Sequence, residues 1–172
     1  MKKFILACLV VSTIIACSPK TETASTFAAP ADLNSYNLDS SANIDLVKKM
    51  IVAFEAMDSA TYRSLYADSA IFHDNGKDMN LDQNVTLFNY FKSNGVSVKM
   101  EKVDPIWEIV NKEASPNGIT NYVMSFQHTI YKKGDKEVKV IVSVVNGIKD
   151  GKIVEEWDLY NTKPMLDLMN QK

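Results

Sequence analysis

The most constraining feature of this 172-residue chain is the change of hydrophobic period near Gly95. Before it, Val47, Met50, Ile51, Phe54 and Met57 recur at the spacing of one helix face. After it, residues 119–131, 136–146 and 152–161 read as three long strands. Lys133-Gly134-Asp135 and Lys149-Asp150-Gly151 separate them as hairpin signals. Strands joined by such short turns must pair antiparallel, and the preceding helices are the material available to cover one face of the sheet. An α+β fold is predicted.

Local signals fill in the first half. Asn43 can cap the first helix, and Asp58 or Ser59 a short second one carrying Tyr62, Leu65 and Tyr66. Ala70 to Asp74 reads as a short strand and Asn75-Gly76 as a turn. Asn80-Leu81-Asp82-Gln83 has the pattern of a capping box opening a third helix, with Leu81, Val85, Phe88 and Phe91 on one side. Residues 96–110 are extended, and Pro105 within them predicts a bulge or a free edge, because proline cannot donate to a ladder. The domain is expected to span 44–163, with 164–172 as a C-terminal tail.

The first residues, MKKFILACLVVSTIIAC, combine two lysines with an apolar run too short to span a hydrocarbon core, the form of a secretory signal. Ile14-Ile15-Ala16-Cys17 resembles the lipobox of bacterial lipoproteins. The resemblance implies removal of residues 1–16, lipidation of Cys17 and membrane anchoring; Ser18 in the next position implies the outer membrane. A plain signal peptide is the alternative. Acylation would also consume a lone thiol in an oxidising compartment. Residues 17–43 are rich in Ser, Thr, Ala and Asn and are expected to form a flexible tether, with a coil reach of roughly 30 Å. The alternative is that Tyr36 to Leu38 pack on the domain as an arm. Removing Lys2 and Lys3 takes the net charge from −2 to −4, which argues against a nucleic-acid partner. Cys8 and Cys17 are the only cysteines, so no disulfide framework holds the fold.

Leu65-Tyr66-Ala67-Asp68-Ser69-Ala70, together with Asp150-Gly151-Lys152-Ile153-Val154-Glu155-Glu156-Trp157 and Tyr160-Asn161, resembles the nuclear transport factor 2-like superfamily. That superfamily includes the SnoaL-like polyketide cyclases and the ketosteroid isomerases. The resemblance covers about 120 residues and implies a cone: a strongly curved antiparallel sheet wrapped around the N-terminal helices, with a pocket at one end. Alternation gives each strand two faces. The resemblance places Tyr122, Met124, Phe126 and His128, then Lys139, Ile141, Ser143 and Val145, then Val154, Glu156, Asp158 and Tyr160, on the pocket side. Trp107 is expected to join this wall. Val138, Val140, Val142, Val144, Ile153, Trp157 and Leu159 would then form an apolar convex face, implying a homodimer through that face. Alternatively the tether or the C-terminal segment covers it.

The same register puts Asp74 where ketosteroid isomerases carry their base, but Met50 and Ser143 where they carry the two donors to the enolate oxygen. Losing one such donor costs on the order of 10²–10³ in rate, so that isomerisation is not expected. SnoaL-like cyclases pair an acid/base carboxylate with a histidine or asparagine, which makes Asp74 and His128 the candidate catalytic residues. His73, on the other strand face, has a surface or packing role. With two histidines and no phosphate loop or dinucleotide fingerprint, neither a metal nor a cofactor is expected. Three functions follow: a non-enzymatic, lipid-anchored domain binding a small, partly apolar ligand; an isomerase, cyclase or hydratase using Asp74 as base; or a dimeric structural or interaction module.

Overall fold

A computed structural model of the protein describes residues 35–170. The signal segment, Cys17 and residues 18–34 of the tether lie outside the described residues. The elements run β1 (Ser35–Leu38), α1 (Ala42–Glu55), α2 (Ser59–Ser64), β2 (Tyr66–Asp74), β3 (Lys77–Asn80), α3 (Leu81–Ser93), β4 (Val96–Asn111), β5 (Asn121–Lys133), β6 (Lys136–Lys149), β7 (Lys152–Leu159) and α4 (Lys163–Met169). The strands form one seven-stranded sheet in the order β1-β4-β5-β6-β7-β2-β3. Every pairing is antiparallel except that of β2 with β7. This is the expected α+β cone: the curved sheet encloses α1, whose Ile44, Val47, Met50 and Ile51 are buried.

Three local readings are refined. The first helix is capped by Ser41, which accepts from the Ile44 amide at 3.0 Å. Asn43 instead donates to Glu108 Oε1 at 2.6 Å, joined there by Asn121 at 2.5 Å. Asp58 caps α2, and the capping box of Asn80 and Gln83 is fully formed. Pro105 lies at a register shift between Val103 and Ile106, on the edge of β4 that β1 leaves uncovered.

Both ends of the domain carry more structure than composition suggests. Ser35 to Leu38, inside the segment read as tether, pair with Asn111 to Glu108 as an edge strand. The C-terminal residues read as a tail form α4, which buries Met165 and Leu168 against the core beside β5 and β6. Pro164 sits in its first turn, where a missing amide proton is harmless.

The face assignment is reversed on β5 and β6. Val123, Ser125, Gln127, Thr129 and Tyr131 are buried on the concave side, as are Val140, Val142 and Val144. Tyr122, Met124, Phe126 and His128 therefore point outward. So do their cross-strand partners: Trp107 opposite Met124, Ser143 opposite Phe126 and Ile141 opposite His128. On β7, Glu156 and Asp158 do face inward, opposite Asn146 and Val144. The cause is a β-bulge. Ile148 pairs with Ile153, but Gly147 pairs with Glu155, leaving Val154 as an extra residue. One extra residue exchanges the two faces for the rest of the strand. Ile153, expected outside, is consequently fully buried, while Trp157 beyond the bulge is outside as expected.

The corrected faces make a direct prediction. Val140→Ala, at a 4% exposed position, should destabilise the fold by about 2 kcal/mol in urea unfolding. Lys139→Ala, which breaks an exposed ion pair with Glu101, should cost less than about 1 kcal/mol. Equal losses would mean the strand is turned the other way.

Candidate functional site

The concave side is not filled. A cavity of ≈ 90 Å³ lies between α1, α2, α3 and the inner faces of β5, β6 and β7. Phe54, Tyr62, Phe88, Phe91, Tyr131 and Tyr160 supply its aromatic wall, and Asp74, Glu156 and Asp158 its carboxyls. The rings pack on one another: Phe54 lies edge-on to Phe88 at 5.6 Å, and Tyr62 is 5.3 Å from Phe88. Asp74 and Leu87 also line an outer vestibule of ≈ 570 Å³ whose wall includes Lys77, Met79, Asp82 and Tyr90. The half-buried Asp74 thus stands between the interior and the opening.

Each carboxyl is fixed by backbone geometry. Asp74 ends β2, directly before a turn in which Asn75 and Gly76 both have positive φ, at 47° and 82°. Such a turn favours Asn-Gly for conformational reasons. Asn75 donates to Asp74 Oδ1 at 3.0 Å, and its own carbonyl oxygen accepts from the Tyr160 amide at 3.2 Å. The Tyr160 hydroxyl lies 3.3 Å from Asp74 Oδ2. The parallel pairing of β2 and β7 sets Asp74 beside Asp158 and Phe72 beside Glu156.

Glu156 is the deepest of the three. Asn146 donates to its Oε2 at 2.5 Å. The Tyr66 hydroxyl lies 2.6 Å from the same oxygen and 3.0 Å from the Tyr62 hydroxyl. Having one proton, Tyr66 gives it to the carboxyl and accepts from Tyr62. Burial pushes the Glu156 carboxyl up to about 7, against the lowering effect of its donors Tyr66 and Asn146. Burial, then the charges of Glu156 and Asp74, push Asp158 well above the usual carboxylate range. Glu156 and Asp158 lie two residues apart on the same face of β7, so the charge of Glu156 adds to the rise of Asp158. Burial and the nearby carboxylates likewise raise Tyr62 and Tyr66, so both phenols stay protonated. Among the described residues, no Lys, Arg or His lines the cavity.

Of the residues singled out in the sequence, Asp74, Glu156, Asp158 and Tyr160 come together here. Trp107, Tyr122, Met124, Phe126 and Ser143 do not line the cavity, because their strands present the opposite face. His128 is also outside, on the side of Glu101, so it cannot pair with Asp74. Ser143 is therefore no donor to a bound ligand, while Met50 does line the cavity. Sequence reasoning missed Tyr62, Tyr66, Asn146, Gln127 and Tyr131. The helical spacing of Tyr62 and Tyr66 was visible; their convergence on Glu156 depends on the β2–β7 pairing. His73 has the outward place expected of it. It stacks on Trp157 at 5.1 Å and bonds Asp78 at 2.7 Å and Glu155 at 3.0 Å. Burial alone would lower this imidazole, but the two carboxylates outweigh it and its pKa is raised. Among the described residues, no group of three or more His, Cys, Asp or Glu is arranged to hold a metal ion.

Solved structures share this α+β cone, the fold found in SnoaL-like proteins. An epoxide hydrolase of the LEH-like type from M. tuberculosis superposes with a TM-score of 0.57 at 18% identity, over 74% of this chain and 89% of that one. A candidate polyketide cyclase from Xanthomonas campestris pv. campestris gives 0.56 at 12% identity, over 75% and 97%. A candidate SnoaL-like polyketide cyclase from Shewanella denitrificans OS-217 gives 0.54 at 13%, over 75% and 96%. No protein-family model and no curated protein sequence matches the chain. At these identities the likeness concerns the fold alone, and function has to be argued from the site.

The buried acids predict an unusual pH profile. A carboxyl whose pKa rises on folding holds its proton after the unfolded chain has lost it, so stability falls as pH rises between the two values. For Glu156 that window runs from 4.5 to about 7. Thermal melts should show stability declining across it, by roughly 3 kcal/mol. Glu156→Gln should reduce this slope, with Asp158, raised in the same sense, carrying the remainder; a slope unchanged in that variant would place the responsible group elsewhere.

Proposed function

We propose that this chain is a lipid-anchored, SnoaL-like domain of the bacterial envelope that binds a small, partly apolar ligand in its cone. The observation that carries the reading is the aromatic cavity with Asp74, Glu156 and Asp158 on its wall, bordered at Asp74 and Leu87 by the larger outer pocket. Buried carboxyls are costly without partners, and a concave apolar site with a few convergent, perturbed polar groups is the usual form of a ligand site. The anchor is Cys17, the compartment is the outer membrane, and a homodimer forms through the convex sheet face. What supports the dimer is the half-buried aromatic surface there, where Trp107 lies 6.4 Å from Phe126 and Tyr122 lies 6.2 Å from Trp157.

A second reading is an acid–base enzyme. It is favoured by one observation, the cross-strand pairing of Asp74 at the cavity mouth with Asp158, a carboxyl that burial pushes well above the usual range. Asp74 would take a proton beside a carbonyl and Asp158 would return one, without an oxyanion donor from Met50, which has none, or from Ser143, which faces outward. Unlike protonation in neighbouring carboxyls is what such division of labour requires.

Native mass spectrometry of the protein isolated from its own envelope should show a retained small molecule. Phe88→Ala, which opens the cavity wall, should lose that molecule. No retained mass from any preparation counts against the binding reading. Asp74→Asn that keeps its ligand and leaves the cell's metabolites unchanged counts against the enzyme. Cys17→Ser should move the protein from the membrane fraction to the soluble one; an unchanged distribution would reject lipid anchoring.

A further inference from the structure

We propose that the cavity receives the protonated amino group of a small organic amine, seated between Asp158 and Asp74 and walled by Phe54, Phe88, Phe91 and Tyr131. The inference rests on the ligand-binding reading and adds the chemical class of the ligand.

Three observations lead to it. The first is charge. Asp74, Glu156 and Asp158 converge from two paired strands, and no cationic side chain lines the cavity with them. Lys77, the register partner of Asp74 on β3, stands in the outer vestibule, where Asp82 also lines the wall. Buried carboxylates need a counter-charge, and among the described residues the cavity lining offers none to Glu156 and Asp158. The second is an imbalance of hydrogen-bonding groups. Glu156 Oε2 takes the available donors, Tyr66 and Asn146. Asn146 Oδ1, on a fully buried side chain, is left without any partner. Asp74 has the Tyr160 hydroxyl and the Asn75 amide as donors, and a ligand that brings N–H groups into the cavity would add donors where the three carboxyls face it. The third is the wall. Aromatic faces attract a cation that has lost its water, by about 2 kcal/mol or more in desolvated sites. A carboxylate or enolate ligand would meet like charge and acceptors.

The dimensions suit a headgroup with a tail. The inner ≈ 90 Å³ takes the ammonium and a few carbons, and the rest of the ligand lies in the ≈ 570 Å³ vestibule. Without the amine, the cluster meets its need for positive charge with protons; the amine displaces them. The groups that face this exchange are Asp74 of β2, Tyr62 of α2, Tyr66 of β2, Tyr131 of β5, Glu156 and Asp158 of β7 and Tyr160 beyond it, with Lys77 of β3 and Asp82 of α3 at the mouth. The tyrosines stay neutral because burial raises them, so the exchange belongs to the carboxyls.

Three probes with one hydrocarbon skeleton test this on the full chain: 3,3-dimethylbutylamine, 3,3-dimethylbutan-1-ol and 3,3-dimethylbutanoate. In titration calorimetry at pH 8 the amine should bind about tenfold or more tighter than the alcohol, and the carboxylate more weakly than either. Lowering the pH to 6 should weaken the amine by about tenfold and leave the alcohol within about threefold, with proton release on amine binding visible as a buffer-dependent heat. Asp158→Asn should reduce the amine to the level of the alcohol; if that variant does not fold, Asp74→Asn and the wild-type pH series carry the same test. An alcohol or carboxylate that binds as tightly as the amine would overturn the cationic ligand while leaving a binding pocket in place. Failure of all three probes to bind would overturn both.

Discussion

One extra residue in β7 decides what the cone encloses. Were Val154 in register, the turn at Asp150-Gly151 would place Glu156 and Asp158 on the convex side and Trp157 inside. The bulge reverses this. It puts the carboxyls opposite Asn146 and Val144 and turns the indole out to stack on His73. Bulges are features that re-aim side chains next to functional sites. The consequence here is energetic as well as geometric: carboxyls that would be solvated at no cost are brought into an apolar cavity. Glu156 then needs Tyr66 and Asn146, and Tyr66 needs Tyr62. These groups come from β2, β6 and α2, so the acid ties separate parts of the fold together.

The two large polar groups of the interior are handled differently. Glu108 lies between the start of α1 and the β4–β5 ladder and has two amide donors on one oxygen. The first turn of a helix also favours negative charge near it. Nothing in the cavity lining opens toward Glu108. Glu156, Asp158 and Asp74 in contrast border empty space. Glu108 Oε2 has no partner, yet it does not border the cavity; the first group reads as architecture and the second as a site because only the second borders a cavity.

Much of the fold was legible in the residues. The capping box at Asn80, the Asp58 cap, the bulge at Pro105 and the hairpin turns each have a local cause, and each formed as read. Two of the three acids, Glu156 and Asp158, were placed inward, and Asp74 was set at the end of its strand. The wall was not legible. Assigning Phe126 or Val142 to a face requires knowing the register of every hairpin between it and a fixed point, and alternation carries no mark of where a bulge falls. The valines of β6 were in fact an informative signal: Val138, Val140, Val142 and Val144 are more apolar than the set they alternate with, as a core-facing row should be. Tyr66 and Asn146 find their partner 90 and 10 residues away, a relation no short window contains.

β1 has a consequence for how the molecule stands. It pairs with Asn111 to Glu108 at one end of β4, whereas Tyr131, on the cavity wall, is opposite Val98 near the other. The ten residues from Val98 to Glu108 correspond to roughly 30 Å of strand. The chain therefore enters the domain at the end remote from the vestibule. Anything joined to the domain through its N-terminal segment is thus attached on the side away from Tyr131, and traffic to the cavity need not pass it.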